Sequence, residues 1–178
     1  MLFPTHLLAG YVLGHVLSGD RRADGVRLAD WRHRSVWLGV FGAALPDLLD
    51  KPLAMVGVTE LFHSAGHSLV GLASFGVVGL VGLALGVGQS RSWAVCWVAW
   101  ASHLALDALH MVVNGRPADA LFLLWPAVEH TPEVTLPPGQ FAPFYVGTPA
   151  FLLEVLCWLA VGAAIVRSVS GTDAGKRS

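Results

Sequence analysis

The stretch that decides the fold is CWVAWASHLALDALHMVV, residues 96–113. Its apolar run approaches the length of about 20 residues that a membrane-spanning helix needs. His103, Asp107 and His110 interrupt the run at positions i, i+4 and i+7, which share one face of a helix. Ionisable groups inside a bilayer are costly unless they are paired, hydrated or bound to a metal. The stretch therefore predicts a membrane helix that carries a functional site.

The composition of the chain agrees with a membrane protein. Of its 178 residues, 54% are hydrophobic and 13% are charged, as is typical of integral membrane proteins. The net charge of −1 gives no overall basic field, so nucleic acid is not expected as a partner. Cys96 and Cys157 lie apart in apolar runs, so they predict neither a disulfide framework nor a thiolate metal site.

Apolar segments along the chain predict an all-α, polytopic membrane protein with about five transmembrane or membrane-embedded helices. The five segments are residues 2–17, 36–49, 67–87, 93–113 and 148–169. The first lacks the basic region and cleavage site of a signal peptide, which predicts a retained span. The segment 114–147 is rich in proline, which argues against a regular sixth span. We expect a single helical domain over residues 1–169 and a disordered tail at 170–178.

The basic residues predict the orientation of these spans, because cytoplasmic loops carry an excess of Lys and Arg. With five spans, one side of the membrane receives only Lys51 and Arg116. The other side receives Arg21, Arg22, Arg27, Arg32, Arg34, Arg91, Arg167, Lys176 and Arg177. A multi-pass protein of the cell membrane is therefore predicted, with its N-terminus outside and its C-terminus and residues 18–35 in the cytoplasm.

In this topology, titratable groups from four segments meet at the outer face of the membrane, with His103 somewhat deeper. They are His6, Asp47, Asp50, His63, His67, Asp107 and His110. Imidazole and carboxylate together suit Zn²⁺ and other divalent transition metals. We expect His6, Asp47, His63, His67, His103, Asp107 and His110 as metal ligands. Asp47 or Asp50 is expected to accept a proton.

Each of these groups also has a simpler interpretation. A lone intramembrane histidine more often packs through a hydrogen bond than binds a metal, so His15, His33 and His130 receive no role. The pair His63 and His67 has helical i, i+4 spacing only if the helix begins before it. The joint placement of the groups on one side favours a site. Glu154 is expected to orient a ligating histidine or to be a further ligand.

Five motifs resemble the YdjM-like family of predicted membrane-bound metal-dependent hydrolases. In chain order they are THLLAG, LPDLLD, GHSLVG, SHLALDALH and LLWP. The order His, Asp, His, His-x-x-x-Asp also resembles the zinc-dependent phospholipase C and P1 nuclease group. By that resemblance Asp107 would bridge metals, His103 and His67 would ligate one, and His6 another. Asp47 would ligate metal or act as base, and the HSAGHS sequence, which lacks the family's Arg, leaves the role of His63 open.

These observations lead to a hypothesis of a membrane-embedded hydrolase that cleaves a phosphoester of a lipid or lipid-linked substrate at the outer face. Zinc would lower the pKa of bound water towards neutrality and neutralise phosphoryl charge. A lipid substrate is favoured because lipids reach a site within the bilayer easily. The alternatives are a metal or proton carrier, and a non-catalytic membrane module with a structural metal site.

Overall fold

The computed structural model describes residues 1–18, 28, 31–128, 130–134, 136 and 138–174. Within these residues the chain is all-helical and has no strand, which confirms the predicted fold class. The helices are α1 (Phe3–Leu17), α2 (Arg34–Met55), α3 (Leu69–Ala84), α4 (Ser90–Val113), a 3₁₀ helix (Pro117–Leu124), α5 (Pro138–Tyr145) and α6 (Pro149–Ala174).

Three helices, α1, α2 and α4, pack together through glycine. A Cβ atom at Gly10 of α1 would collide with the carbonyl oxygen of Gly39 in α2, and one at Gly42 would collide with the backbone of Cys96 in α4. Small residues let the backbones of membrane helices approach closely in this way. The close packing brings the polar residues at one end of these three helices together.

The prediction of about five spans is wrong by the criteria of length and apolar composition. Among the residues that the structure describes, two helices meet both criteria, Ser90–Val113 and Pro149–Val169. Helices α1 and α3 have 15 and 16 residues, which fall short of a bilayer core of about 30 Å at 1.5 Å per residue. Helix α2 is long enough, but it carries Asp47, Asp50 and Lys51 near its C-terminal end. Only 11% of the apolar window in α6 is buried, so most of its surface is available to lipid.

The connection between α2 and α3 differs from the prediction. Helix α2 continues past Leu49 to Met55, with Pro46 and Pro52 inside it. Helix α3 starts at Leu69, because the side chain of Ser68 accepts a hydrogen bond from Gly71 N and caps it. His63 and His67 therefore lie in the preceding loop, and their interpretation as a helical i, i+4 pair is wrong.

The described residues of the proline-rich segment 114–147 contain no helix long enough to cross a membrane, which agrees with the prediction. The segment contains the 3₁₀ helix and α5, which have eight residues each. Helix α6 continues to Ala174, into the segment that was predicted to be a disordered tail. The predicted cytoplasmic arginines at 21, 22 and 27 and the basic residues 176 and 177 lie outside the described residues, so the orientation stays a prediction.

Candidate metal centre

Two buried histidines, His67 and His103, have ring orientations fixed by hydrogen bonds at Nδ1. His67 Nδ1 lies 2.8 Å from Asp50 Oδ2, and His103 Nδ1 lies 2.6 Å from the carbonyl oxygen of Ala43. A carbonyl oxygen only accepts hydrogen bonds, and so does an ionised carboxylate, so both Nδ1 atoms carry the proton. In the neutral form of each ring, Nε2 then presents a lone pair, which is the tautomer that a metal-ligating histidine adopts.

The orientation of His67 depends on Asp50, which is fully buried at the C-terminal half of α2. Its carboxylate also accepts the backbone amides of Ser64 at 2.7 Å, Gly66 at 2.9 Å and His67 at 3.0 Å. Three amides with the same acceptor wrap the loop around Asp50, which explains why residues 64–67 do not extend α3. The Asp50 carboxylate is thereby occupied by four donors.

The two Nε2 atoms face two carboxylate oxygens. The two Nε2 atoms lie 3.2 Å apart. His67 Nε2 is 3.3 Å from Asp47 Oδ1 and 3.7 Å from Asp107 Oδ2. His103 Nε2 is 3.8 Å from the same Asp47 oxygen and 3.2 Å from the same Asp107 oxygen. Ligands about 2.0–2.1 Å from a tetrahedral ion are separated by about 3.3 Å. Three of the five distances, at 3.2–3.3 Å, match the edges of such a site, and the other two, at 3.7 and 3.8 Å, are longer.

These four residues fit a divalent cation by their hydrogen bonding as well. With both rings neutral, two imidazole lone pairs and two carboxylate oxygens lie close together, and acceptors without a proton or cation between them repel. Asp47 Oδ2 and His6 Nδ1 are buried and have no hydrogen-bond partner. Buried polar groups are nearly always satisfied, and exceptions point to a function or an ion. The buried His and Asp groups can therefore hold a metal ion, whose identity the geometry leaves open.

Asp107 connects this cluster to the start of the chain through its second oxygen. Asp107 Oδ1 lies 3.1 Å from His6 Nε2 and 2.6 Å from the amino group of Met1. The ring of His6 stacks on that of His103 with 3.7 Å between centroids. His63 Nε2 approaches Asp107 Oδ2 to 3.8 Å, from the side of the loop. Three groups of side chains can therefore hold an ion: His6, His103 and Asp107; Asp47, His67 and His103; and His63, His67 and Asp107.

Two of the groups predicted from the sequence lie outside the cluster. His110 is one helical turn beyond Asp107, where its Nδ1 lies 3.1 Å from the Met1 amino group and its Nε2 has no partner. Glu154 of α6 accepts hydrogen bonds from Thr5 Oγ1 at 2.6 Å and Tyr145 OH at 2.6 Å. These contacts tie α6 to α1 and differ from the predicted contact between Glu154 and a ligating histidine.

A cavity of about 260 Å³ adjoins the cluster. Its polar wall includes Asp107 and His63, together with Lys51 and Arg116, which the sequence indicated only as the two basic residues of the outer side. Lys51 Nζ lies 2.7 Å from Asp47 Oδ1, one turn along α2. In the sequence, the i, i+4 spacing of Asp47 and Lys51 is the feature that could have predicted this ion pair.

A further buried carboxylate, that of Asp119 in the 3₁₀ helix, was not predicted from the sequence. It accepts from Arg116 Nη1 at 2.6 Å, His130 Nε2 at 3.0 Å and the amide of Glu133 at 3.0 Å. Burial by itself would raise the pKa of Asp119, but the hydrogen bonds from His130 and Glu133 and the charge of Arg116 lower it below its usual value. The i, i+3 spacing from Arg116 to Asp119 was the only local signal for this contact.

The described residues form an all-helical fold with two helices long and apolar enough to cross a membrane, and with a buried His/Asp cluster that can hold a metal ion. The chain belongs to the YdjM inner membrane protein family, whose model matches residues 1–171. This match confirms the family resemblance of the motifs and the membrane environment. No curated protein and no solved structure matches the chain significantly, so the resemblance to the phospholipase C and P1 nuclease group gains no support.

Proposed function

We propose that this protein is a membrane-embedded, metal-dependent hydrolase that acts on a phosphoester of a lipid or lipid-linked substrate. The observation that carries the proposal is the pair of Nε2 lone pairs of His67 and His103, 3.2 Å apart and next to two carboxylates. With both rings neutral, this arrangement can hold a cation, and it adjoins a cavity where a substrate can lie. Zinc is the expected metal because the ligands are imidazole and carboxylate.

In this proposal His67 and His103 hold the metal through Nε2, and Asp47 and Asp107 hold it through one oxygen each. When bound, a divalent ion supplies Lewis acidity towards water and towards phosphoryl oxygens. Asp50 keeps the proton of His67 on Nδ1, so its role is to position that ring. Of the two predicted bases, Asp50 is the less suitable, because four donors already occupy its carboxylate.

Asp47 is the expected proton acceptor. Its Oδ1 atom faces Lys51 and the two histidines, whereas its buried Oδ2 atom has no hydrogen-bond partner. Oδ2 is therefore the atom where a proton from an attacking water can be received. The ion pair with Lys51 keeps this carboxylate ionised and oriented.

The test compares two carboxylate variants of the full-length protein in detergent. Asp47→Asn keeps the side-chain shape and removes the proton acceptor, so hydrolysis of phospholipids and phosphodiesters should fall about 10²- to 10⁴-fold. Glu60→Gln removes an exposed carboxylate just after α2 and should leave turnover unchanged. Wild-type protein with full metal occupancy that hydrolyses no ester in a broad panel would overturn the proposal in favour of a structural metal site.

The packing of α1 against α2 argues against the carrier. A translocation path needs polar groups in both halves of the membrane, and the helix contact below the cluster is made by Gly10, Gly14 and Gly39 with backbone against backbone. Close glycine contacts leave no room for a polar channel between these two helices.

A further inference from the structure

The cavity beside the cluster has two kinds of wall. One part is apolar and includes Leu61, Phe62 and Phe141. The polar part includes Asp107, His63 and His110 of the predicted site, and it carries two side-chain cations, Lys51 and Arg116, which come from different elements of the fold. A cavity that combines an apolar wall with fixed cations complements an amphiphile whose polar group is an anion.

Both cations are held in place by contacts within the protein. Lys51 Nζ contacts Asp47 Oδ1 at 2.7 Å and lies 5.8 Å from the centre of the Phe3 ring, which also lines the cavity. The guanidinium of Arg116 is anchored through Nη1 to Asp119. Because their positions are set in advance, little conformational entropy is lost when an anion binds.

Arg116 has donors left for a ligand. Its recorded hydrogen bond uses Nη1, whereas a guanidinium has five N–H donors in a planar fork that suits phosphate. Asp119 is itself fixed by His130 and by the amide of Glu133. The chain that follows Glu133 adds Val134 to the wall of the cavity. One buried carboxylate therefore positions both the cation and part of the apolar wall.

We propose that this cavity binds a phosphorylated amphiphile, with its phosphate between Lys51 and Arg116 and its chain against Leu61, Phe62 and Phe141. The inference deepens the proposed function and rests on it for the statement that the bound molecule is a substrate. Arg116 acts as the residue that selects an anionic head group, and Asp119 is its positioning residue.

The size of the cavity limits how much of the amphiphile it encloses. At about 260 Å³ it is slightly smaller than the 300–1,000 Å³ typical of small-molecule pockets. It holds a phosphate and the first part of a chain, and the remainder of the chain extends towards the bilayer. A soluble phosphate compound would leave the apolar wall in contact with water.

The experiment measures binding by titration calorimetry, with full-length protein as purified in a neutral detergent. The probes are hexylphosphonate, methylphosphonate and hexanol, which separate the anion from the chain. Hexylphosphonate should bind at least about tenfold more tightly than methylphosphonate, since each buried methylene contributes about 0.8 kcal/mol. Arg116→Gln should weaken hexylphosphonate binding by about tenfold, the usual contribution of a charge-assisted hydrogen bond. Hexanol binding should be unaffected by this variant.

Arg167→Gln is the matched control, because Arg167 is an exposed arginine of α6 that does not line the cavity. If Arg116→Gln is too unstable to purify, Lys51→Gln replaces it, and hexylphosphonate binding should again weaken by about tenfold. Equal affinity for the two phosphonates, or hexylphosphonate binding that neither variant weakens, would overturn the inference. A protein that binds hexylphosphonate through Arg116 but hydrolyses no ester would instead overturn the proposed function alone.

Discussion

Two clusters of buried titratable groups lie near the same cavity, and their hydrogen bonding differs in kind. Around Asp119 every recorded contact joins a donor to the carboxylate, from Arg116, His130 and the Glu133 amide. Around His67 and His103, the Nε2 atoms lie close to carboxylate oxygens, and the buried atoms Asp47 Oδ2 and His6 Nδ1 have no hydrogen-bond partner. A satisfied network stabilises the loop that it connects, whereas buried atoms without partners point to a function or an ion. The difference predicts that metal belongs to the second cluster only.

The largest expected effect is on metal content, and a matched pair of histidines measures it. His103→Ala should remove most of the bound metal, because it deletes one Nε2 ligand. His130→Ala deletes a histidine that also contacts an aspartate, but it should leave the metal content unchanged. Elemental analysis of both purified proteins, with circular dichroism to verify folding, tests this. Equal metal content in the two variants would contradict the assignment.

A pair of buried aspartates sharpens the same comparison. Asp50→Asn should weaken metal binding about 10- to 100-fold, the usual effect of losing the partner that orients a ligating histidine. Asp119→Asn should leave metal affinity unchanged. Competition with a chromogenic chelator measures both affinities. An Asp50→Asn protein that binds metal as tightly as the wild type would show that His67 does not depend on this contact.

Part of the cluster was predictable because it depends on local spacing and on topology. His103 and Asp107 share a helix face, and the predicted alternation of segments put His6, Asp47 and His67 at the same end as them, where the packing of the helices also places them. His110 also lies on that face, but it is two turns from His103, and the axial distance keeps it out of the group. Residue spacing determines which side chains share a face of a helix. How far along the helix axis each side chain lies from the cluster depends on how the helices pack.

The rest depended on contacts that no local pattern encodes. Asp50 orients His67 because a loop folds back across 14 to 17 residues to reach it. Asp119 is joined to His130 and Glu133 only when the proline-rich segment turns over the cavity. The number of spans was overestimated because apolar runs in the sequence do not give helix length: α1 has only 15 residues, and α2 carries Asp47, Asp50 and Lys51 near its C-terminal end.

Metal removal should change thermal stability by an intermediate amount. At a free zinc concentration of 100 times the dissociation constant, binding stabilises the folded state by about 2.7 kcal/mol. For a protein of this size that corresponds to a rise in melting temperature of about 5–10 °C. Wild type and His130→Ala should both show the rise in scanning fluorimetry, and His103→Ala should not. A rise in His103→Ala as large as that in wild type would assign the effect to another site.

The smallest expected effect concerns acid and the Asp119 cluster, measured with chelator present so that metal does not contribute. The pKa of Asp119 is lower in the folded protein than its usual value, through the donors that outweigh burial. A carboxyl group with a lowered pKa in the folded state stabilises the fold at pH values above its unfolded-state pKa of about 3.9. This stabilisation is lost as the pH falls through the pKa of the group in the folded state. Asp119→Asn should therefore melt a few degrees below wild type at pH 6, and the gap should narrow as the pH falls below about 4. A gap that stays constant down to the lowest pH at which both proteins fold would mean that the charge of Asp119 contributes nothing, and that its hydrogen bonds alone hold the loop.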